Sequence, residues 1–332
     1  MVRRRPAGTD VASRAGVSQK TVSRVMNGEP YVKEEVRLRV LQAAQELGYR
    51  RNNAARTLTS GRTRRIGVVS LGSPLYGPAS TLIELERGAR STGYSLSVVT
   101  TFEGDPSGVA GAVESLLAEG VDGIVLSEPI DEGENVRVDA DLPVLSLGNF
   151  PGLTGPGVVI SGADGAEAGR VATRHLLDLG HETVHHVAGP QRWWAARDRL
   201  AGWQQALQKK PQEWIEGDWS PESGYAAGLR LAKRPDVTAV FVANDDMAIG
   251  LLAAMREAGR EVPGDVSVVG LDDIPTAAYQ WPPLTTVRQD FVTMVRHGLE
   301  RLLRQIEAPG IATPGHPEPV HLVVRRSTAR PR

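Results

Sequence analysis

Between Ser18 and Gly28 the chain sets Gln19, Lys20, Ser23, Arg24 and Asn27 on one polar face, while Val22 and Met26, four apart, fall on the other. Arg and Lys donate to paired acceptors, and the carboxamides of Gln and Asn donate and accept at once. These are the groups that read base edges in the major groove of DNA, Arg or Lys on guanine and Gln or Asn on adenine. Such a face needs an element to hold it. Just upstream, Val11, Ala12 and Ala15 recur at helical spacing. Gly16 suits the left-handed residue that ends one helix, and Ser18 can cap the next. Two short helices joined by a Gly turn make a helix-turn-helix, whose second helix enters the groove. The same pattern also fits a small helical hairpin with a merely solvated polar face.

The flanking sequence favours the first reading. Val36, Val40, Ala43, Ala44 and Leu47 form a third amphipathic helix closed by Gly48-Tyr49, and a short helix capped by Asn52 follows. Residues 1–65 hold 15 Lys/Arg against 5 Asp/Glu, a net of +10, although the whole chain carries only −1. A basic head on an acidic body is what phosphate contact at one end requires. With 332 residues the chain can build one large core or two to three smaller ones. It has no cysteine, so disulfides and thiolate metal sites are excluded. No apolar run reaches the ~18 residues of a membrane helix. Arg3-Arg4-Arg5-Pro6 is not followed by the apolar stretch of a signal peptide, which points to the cytoplasm.

Beyond Arg65 the pattern changes to strands alternating with helices. Strands are predicted at Ile66–Ser70, Ser95–Thr100, Gly123–Leu126, Pro143–Leu147, Thr183–Val187, Val237–Val242 and Val266–Gly270. Helices are predicted near 80–92, 108–119, 165–179 and 197–208, the first preceded by a Gly/Pro-rich loop through Pro78. This alternation argues for parallel sheets with helices on both faces, in two halves. A cleft then lies between the halves, lined by loops at the carboxyl ends of the strands. No phosphate-cradling Gly loop is present, and the histidines lack metal-ligand spacing, so neither cofactor nor metal is expected. Arg325–Arg332 are expected to fray, and no terminal leucine heptad joins dimers into tetramers.

Longer strings carry a resemblance. In the head they are Asp10-Val11-Ala12, Ala15-Gly16-Val17-Ser18, Thr21-Val22-Ser23-Arg24-Val25, Asn27-Gly28, Glu46-Leu47-Gly48-Tyr49 and Ser60-Gly61-Arg62-Thr63. In the body they are Arg197-Asp198-Arg199-Leu200-Ala201-Gly202-Trp203, Gly217-Asp218-Trp219-Ser220, the segment from Val242 to Ala248, Val268 to Asp273 and Pro282 to Phe291. By these residues the chain resembles the lactose-repressor family of bacterial transcription regulators over essentially its whole length, and leans towards the lactose-repressor branch. The resemblance implies an all-α helix-turn-helix head with a hinge helix, then an α/β effector domain of two lobes, similar to periplasmic sugar-binding proteins. The head would span 1–51, the hinge helix and linker 52–63, and the effector-binding and dimerisation domain 64–332. Lobe 1 would take about 64–162 and 291–320, and lobe 2 about 163–290 and 321–332.

Residue roles follow from that match. Gln19, Lys20 and Arg24 would read bases; Ser18, Thr21, Ser23, Asn27 and Tyr31 suit phosphate, which positions without specifying. In the hinge, Asn52, Ala55 and Leu58 match positions that enter the minor groove, Leu58 as the wedge and Arg56 beside it. Arg51 stands where the family usually has proline. Asp164, Arg199, Asn244 and Asp272 match polar sugar contacts, and Trp219 and Phe291 match aromatic covers. Leu71 and Asp141 depart from the small hydroxyl and the amide of lactose-repressor-like clefts, so β-galactoside specificity does not carry over. Trp193 and Trp194 are candidates for the cleft mouth or for packing, and Asp245, Asp246 and Asp273 for helix caps or surface charges. The function implied is a homodimeric, sequence-specific repressor of carbohydrate-utilisation genes, released from a palindromic operator by a mono- or disaccharide. Alternatives are a nucleoside or purine effector, or co-repression. A periplasmic sugar carrier is opposed by the basic head, and an enzyme by the lack of an activated nucleophile.

Overall fold

The computed structural model describes residues 6–26, 28–49, 61–102, 108–127, 130–131, 142–151, 153, 155, 157–207, 213–310 and 317–332. The chain divides into two compact units at Thr63/Arg64.

The first unit is helical, with α1 Gly8–Ala15, α2 Gln19–Met26 and α3 Glu34–Leu47. Val11, Ala12, Ala15, Val22, Val25, Val40, Ala43 and Ala44 form its small core, with Val36 and Leu47 at the edge. Gly16 adopts φ 65°, which lets the Val17 N–H turn back onto the Ala12 carbonyl at 3.0 Å and stops α1. Ser18 Oγ then accepts from the Thr21 N–H at 3.1 Å, starting α2.

The second unit has two sheets. One is wholly parallel: β1 Arg65–Ser70, β2 Ser95–Thr100, β3 Gly123–Leu126, β4 Val144–Leu147 and β5 Val158–Ser161, in spatial order β2-β1-β3-β4-β5. Its faces are covered by α4 Tyr76–Ser91, α5 Gly108–Ala118 and a late helix, α10 Phe291–Glu307. The other contains β6 His185–Ala188, β7 Ile215–Glu216, β8 Ala239–Val242, β9 Ser267–Asp272, β10 Thr285–Gln289 and β11 Val320–Val323, in order β11-β10-β9-β8-β6-β7. Among the described residues only β11 runs antiparallel. α6 Gly165–Asp178, α7 Trp194–Leu207, α8 Pro221–Ala232 and α9 Asp245–Glu257 pack on it. The chain thus passes between the two sheets after β5, after β10 and before β11. At the first and third passages it is tied to itself, Glu318 N–H to Gly162 O at 2.8 Å.

Burial on both faces explains why inner strands such as β1, β3 and β8 are near-continuous apolar runs. Among the described residues no helix is long and apolar enough to cross a membrane.

Three expectations are corrected. The loop through Pro78 is the first turn of α4, which begins at Tyr76; proline is tolerated there because first-turn N–H groups have no helical partner. The segment expected to fray is stitched into the second sheet. Ser327 is fully buried, accepts from the Thr285 N–H at 2.7 Å and donates to Val268 O at 2.6 Å, and Ala329 N–H donates to Ser267 Oγ at 3.0 Å. Basic composition masked those polar ties. Asp245 and Asp273 are not surface charges. Asp245 is fully buried, accepting from Thr286 Oγ1 at 2.7 Å and the Ile274 N–H at 2.9 Å. Asp273 holds Arg288 and Arg325 at 2.6 and 2.5 Å.

Candidate functional site

In the helical unit, α2 buries Val22 and Val25 and turns Gln19, Lys20, Ser23 and Arg24 outward, all exposed. Arg24 lies 3.5 Å from Glu29. An exposed pair of this kind contributes at most ~1 kcal/mol, so a better acceptor displaces it. Ser18 and Thr21 hydroxyls lie 2.9 Å apart, so part of their hydrogen-bonding capacity is used in holding the start of α2. Tyr31 is 94% exposed, an aromatic phenol left on the surface. Asn27, Asn52, Ala55, Arg56 and Leu58, together with Arg51, lie outside the described residues.

In the second unit a cleft opens between the sheets. Its wall comes from segments that follow the carboxyl ends of strands: Leu75 beyond β1, Ser127 after β3, Asn149 after β4, Asn244 after β8, Asp272 ending β9 and Gln289 ending β10. Five residues marked by sequence meet here: Arg199, Trp219, Asn244, Asp272 and Phe291. Trp193 lines the cleft too and meets Trp219 edge-on, centroids 5.7 Å apart. Trp194 instead packs beside the first sheet, under the Arg197 guanidinium at 4.4 Å. Asp164 lines an adjoining cavity and caps α6, accepting from the Glu167 N–H at 2.8 Å. Leu71 does not reach the cleft wall; it lines a small separate cavity with Val69, Thr101 and Phe150, and Leu75 takes the wall position. Asp141 lies outside the described residues.

The centre is electrostatic. Arg199, buried, places one guanidinium nitrogen 2.5 Å from Ala243 O and another 3.7 Å from Asp272 Oδ1. Burial pushes the Asp272 carboxyl up to about 6, against the pull of Arg199 and of Gln289, which donates to it at 2.7 Å. Burial also lowers Arg199, countered by Asp272, and arginine stays charged regardless. Two hydrogen bonds occupy the Asn244 amide: Oδ1 accepts from the Met247 N–H and Nδ2 donates to Trp219 O, both at 3.0 Å. Arg199 stands 5.2 Å over the Trp219 ring. That ring fits only because position 189 is glycine, where any Cβ would run into the indole. Close approach of α6 and α7 likewise needs Gly169, whose missing Cβ leaves room for the Arg199 carbonyl. Trp219 and Asp272 have φ 72° and 114°, and such backbone costs of order 1–3 kcal/mol each, sustained by the surrounding packing. The buried Trp219 Nε1–H has no partner among the described residues.

Sequence reasoning missed Gln289, Asp198, Asn149 and Asp246 as wall residues. Gln289 had a signal, standing two residues before Phe291 at a strand end; Asn149 had none, since a loop Asn is ordinary. His186 belongs to the core, stacked between Trp203 and Phe241 and driven down to about 3 by burial. No group of three or more potential ligands that could hold a metal occurs among the described residues.

A cleft at strand ends joined to a helix-turn-helix unit prompts comparison with known proteins. Residues 9–52 match the model of bacterial regulatory proteins, lacI family, and residues 173–328 that of a periplasmic binding protein-like domain. The lactose operon repressor of Escherichia coli (strain K12) is 36% identical over 330 residues, 97% of this chain and 90% of that protein. The transcriptional regulator CelR of Thermobifida fusca is 35% identical over 97% of this chain and 96% of its own. The transcriptional repressor PurR of Haemophilus influenzae (strain PittEE) is 32% identical over 90% of each. Among solved structures, the lac repressor dimer bound to operator and the anti-inducer ONPF superposes with a TM-score of 0.82 at 32% identity, over 98% of this chain and 100% of that one. A CelR–cellobiose complex superposes with 0.68 at 31% identity, over 97% and 100%. The chain belongs to the lacI family of bacterial regulatory proteins and is a transcriptional regulator.

Proposed function

We propose that the protein is a homodimeric repressor that holds a pseudo-palindromic operator through α2 of each head and is released when a mono- or disaccharide fills the cleft. The observation that carries the sugar reading is the Arg199–Asp272–Gln289 cluster beside the Trp219 face. A guanidinium fork donates to two oxygens, a carboxylate accepts from hydroxyls, and an indole face covers the apolar side of a pyranose. The relatives include CelR, whose structure is a complex with cellobiose, which supports this class, and PurR repressors, which make a purine the rival ligand.

Release requires the sugar to bind the DNA-incompetent state more tightly, and operator must then weaken sugar binding by the same factor, about 5–150-fold for a coupling of ~1–3 kcal/mol. Thermal shift of the full chain against D-glucose, D-galactose, cellobiose, lactose, guanine and hypoxanthine tests the ligand class, because a ligand specific to the folded state raises Tm. Operator fluorescence anisotropy with the sugar that binds should then fall. A response to purines alone overturns the sugar reading, and tightening by a sugar would make the protein co-repressed.

A further inference from the structure

Among the described residues the charged groups of the cleft wall are unbalanced: Asp198, Asp246 and Asp272 stand against one cation, Arg199. Asp198 is placed with care. Its Cβ sits against the backbone of Gly165, where an added Cβ would come within 2.9 Å. Its Oδ1 accepts from Asn149 Nδ2 at 3.3 Å. Asn149 follows β4 of the first sheet and Asp198 rides on α7 against the second, so this bond crosses the cleft. At 3.3 Å it is long for an N–H···O bond, which leaves both groups able to take a better partner. Both also line the adjoining cavity with Asp164, so they stand where the two spaces meet.

We propose that Asp198, with Asn149 facing it across the cleft, is a specificity residue that admits neutral or amine-bearing sugars and rejects carboxylated and phosphorylated ones. The inference rests on the sugar reading and narrows it. A hydroxyl or an ammonium can donate to Asp198 while Asn149 donates to a neighbouring oxygen. An anion in the same place meets three carboxylates and one guanidinium in a confined space where charges are poorly screened. Partial burial, with Asp164 adding repulsion, already holds the Asp198 carboxyl above its ordinary 3.8 despite Asn149 and Arg199. Discrimination built from repulsion is as effective as discrimination built from attraction.

The test separates charge from shape with isosteric probes. Calorimetry on the full chain at pH 7.5 would compare D-glucose, D-glucosamine, D-glucuronamide, D-glucuronate and glucose 6-phosphate, and the D-galactose counterparts. The neutral and amino sugars are expected to bind, and the uronates at least about tenfold more weakly than their amides. In Asp198→Asn, which keeps an acceptor for Asn149, the uronate-to-uronamide gap should narrow about tenfold; Asn149→Ala should weaken all the sugars and keep that gap. Melting of each ligand-free variant by circular dichroism establishes that it folds. Equal binding of uronate and uronamide to the unaltered chain overturns the proposal, as does an Asp198→Asn variant that weakens every sugar alike. If guanine or hypoxanthine binds and no sugar does, the sugar reading fails and this selectivity with it.

Discussion

Asp245→Asn should remove a specific alkaline instability of the second unit. Asp245 lies at the start of α9, fully enclosed, and burial, with Asp272 repulsion added, pushes its carboxyl from an ordinary 3.8 up to about 8. Between those values the folded chain keeps a proton that the unfolded chain has lost. The unfolded state binds fewer protons, so stability falls as pH rises and levels off above about 8. Each pH unit is worth 1.36 kcal/mol, so two units below that point cost ~3 kcal/mol between pH 6 and pH 9. At about 2–4 °C per kcal/mol, this is a Tm loss of roughly 5–10 °C. Asparagine suits the site at any pH, its oxygen accepting from the Ile274 N–H and its amide donating to Thr286 Oγ1. Ligand-free thermal melts of both proteins from pH 6 to 9 read the difference between the two slopes. The histidines, lowered by burial, act equally in both and cancel. Parallel slopes would show that Asp245 is ionised in the fold and that its two hydrogen bonds outweigh burial.

Other outcomes are expected elsewhere in the chain. Arg24→Ala should cost about 1–3 kcal/mol on operator DNA and relax preference at one base position; equal losses on random duplex would make Arg24 a phosphate contact. Arg199→Ala should abolish the sugar-induced rise in Tm, and should lift the Asp272 carboxyl above about 6 by removing its nearby cation; a preserved thermal shift would move the effector elsewhere. Ser327→Ala strands the Thr285 N–H and the Val268 carbonyl, so denaturant unfolding should report a loss of ~2–4 kcal/mol. Micromolar light scattering should give a dimer, a stable tetramer being the contrary result.

Local periodicity carried most of the architecture. The run at Ile66–Ser70 is strand β1, an apolar block because an inner strand is buried on both faces, while Ser95–Thr100 is the edge strand β2, whose residues are exposed or half-buried. Edges and ties were less legible. Val158–Ser161 is an edge strand of four residues with alternating burial, too short between Gly155-Pro156-Gly157 and Gly162 to stand out from a loop. The role of Ser327 depends on Thr285 and Val268, 42 and 59 residues away, which no local window contains. In the cleft, the groups with unusual chemistry, Arg199, Trp219 and Asp272, were visible because their family strings are distinctive. Asp198 sits inside one of those strings yet was passed over, since its neighbour Arg199 accounted for the segment. Asp245 and Asp246 read alike as helix-start acids, and only burial tells them apart: one faces the core, the other the cleft.

The cleft is also chemically lopsided. Arg199, Asn244, Asp272 and Trp219 all hang from the second sheet and its helices, two of them on backbone already bent into place. The first sheet's side brings Leu75, Gly77, Pro78, Leu147 and Phe291, with Thr81, Ser127 and Asn149 as its uncharged polar groups. On the proposed reading, truncating a group on either wall should mainly shorten the lifetime of the bound complex, since related complexes differ mostly in how fast they dissociate.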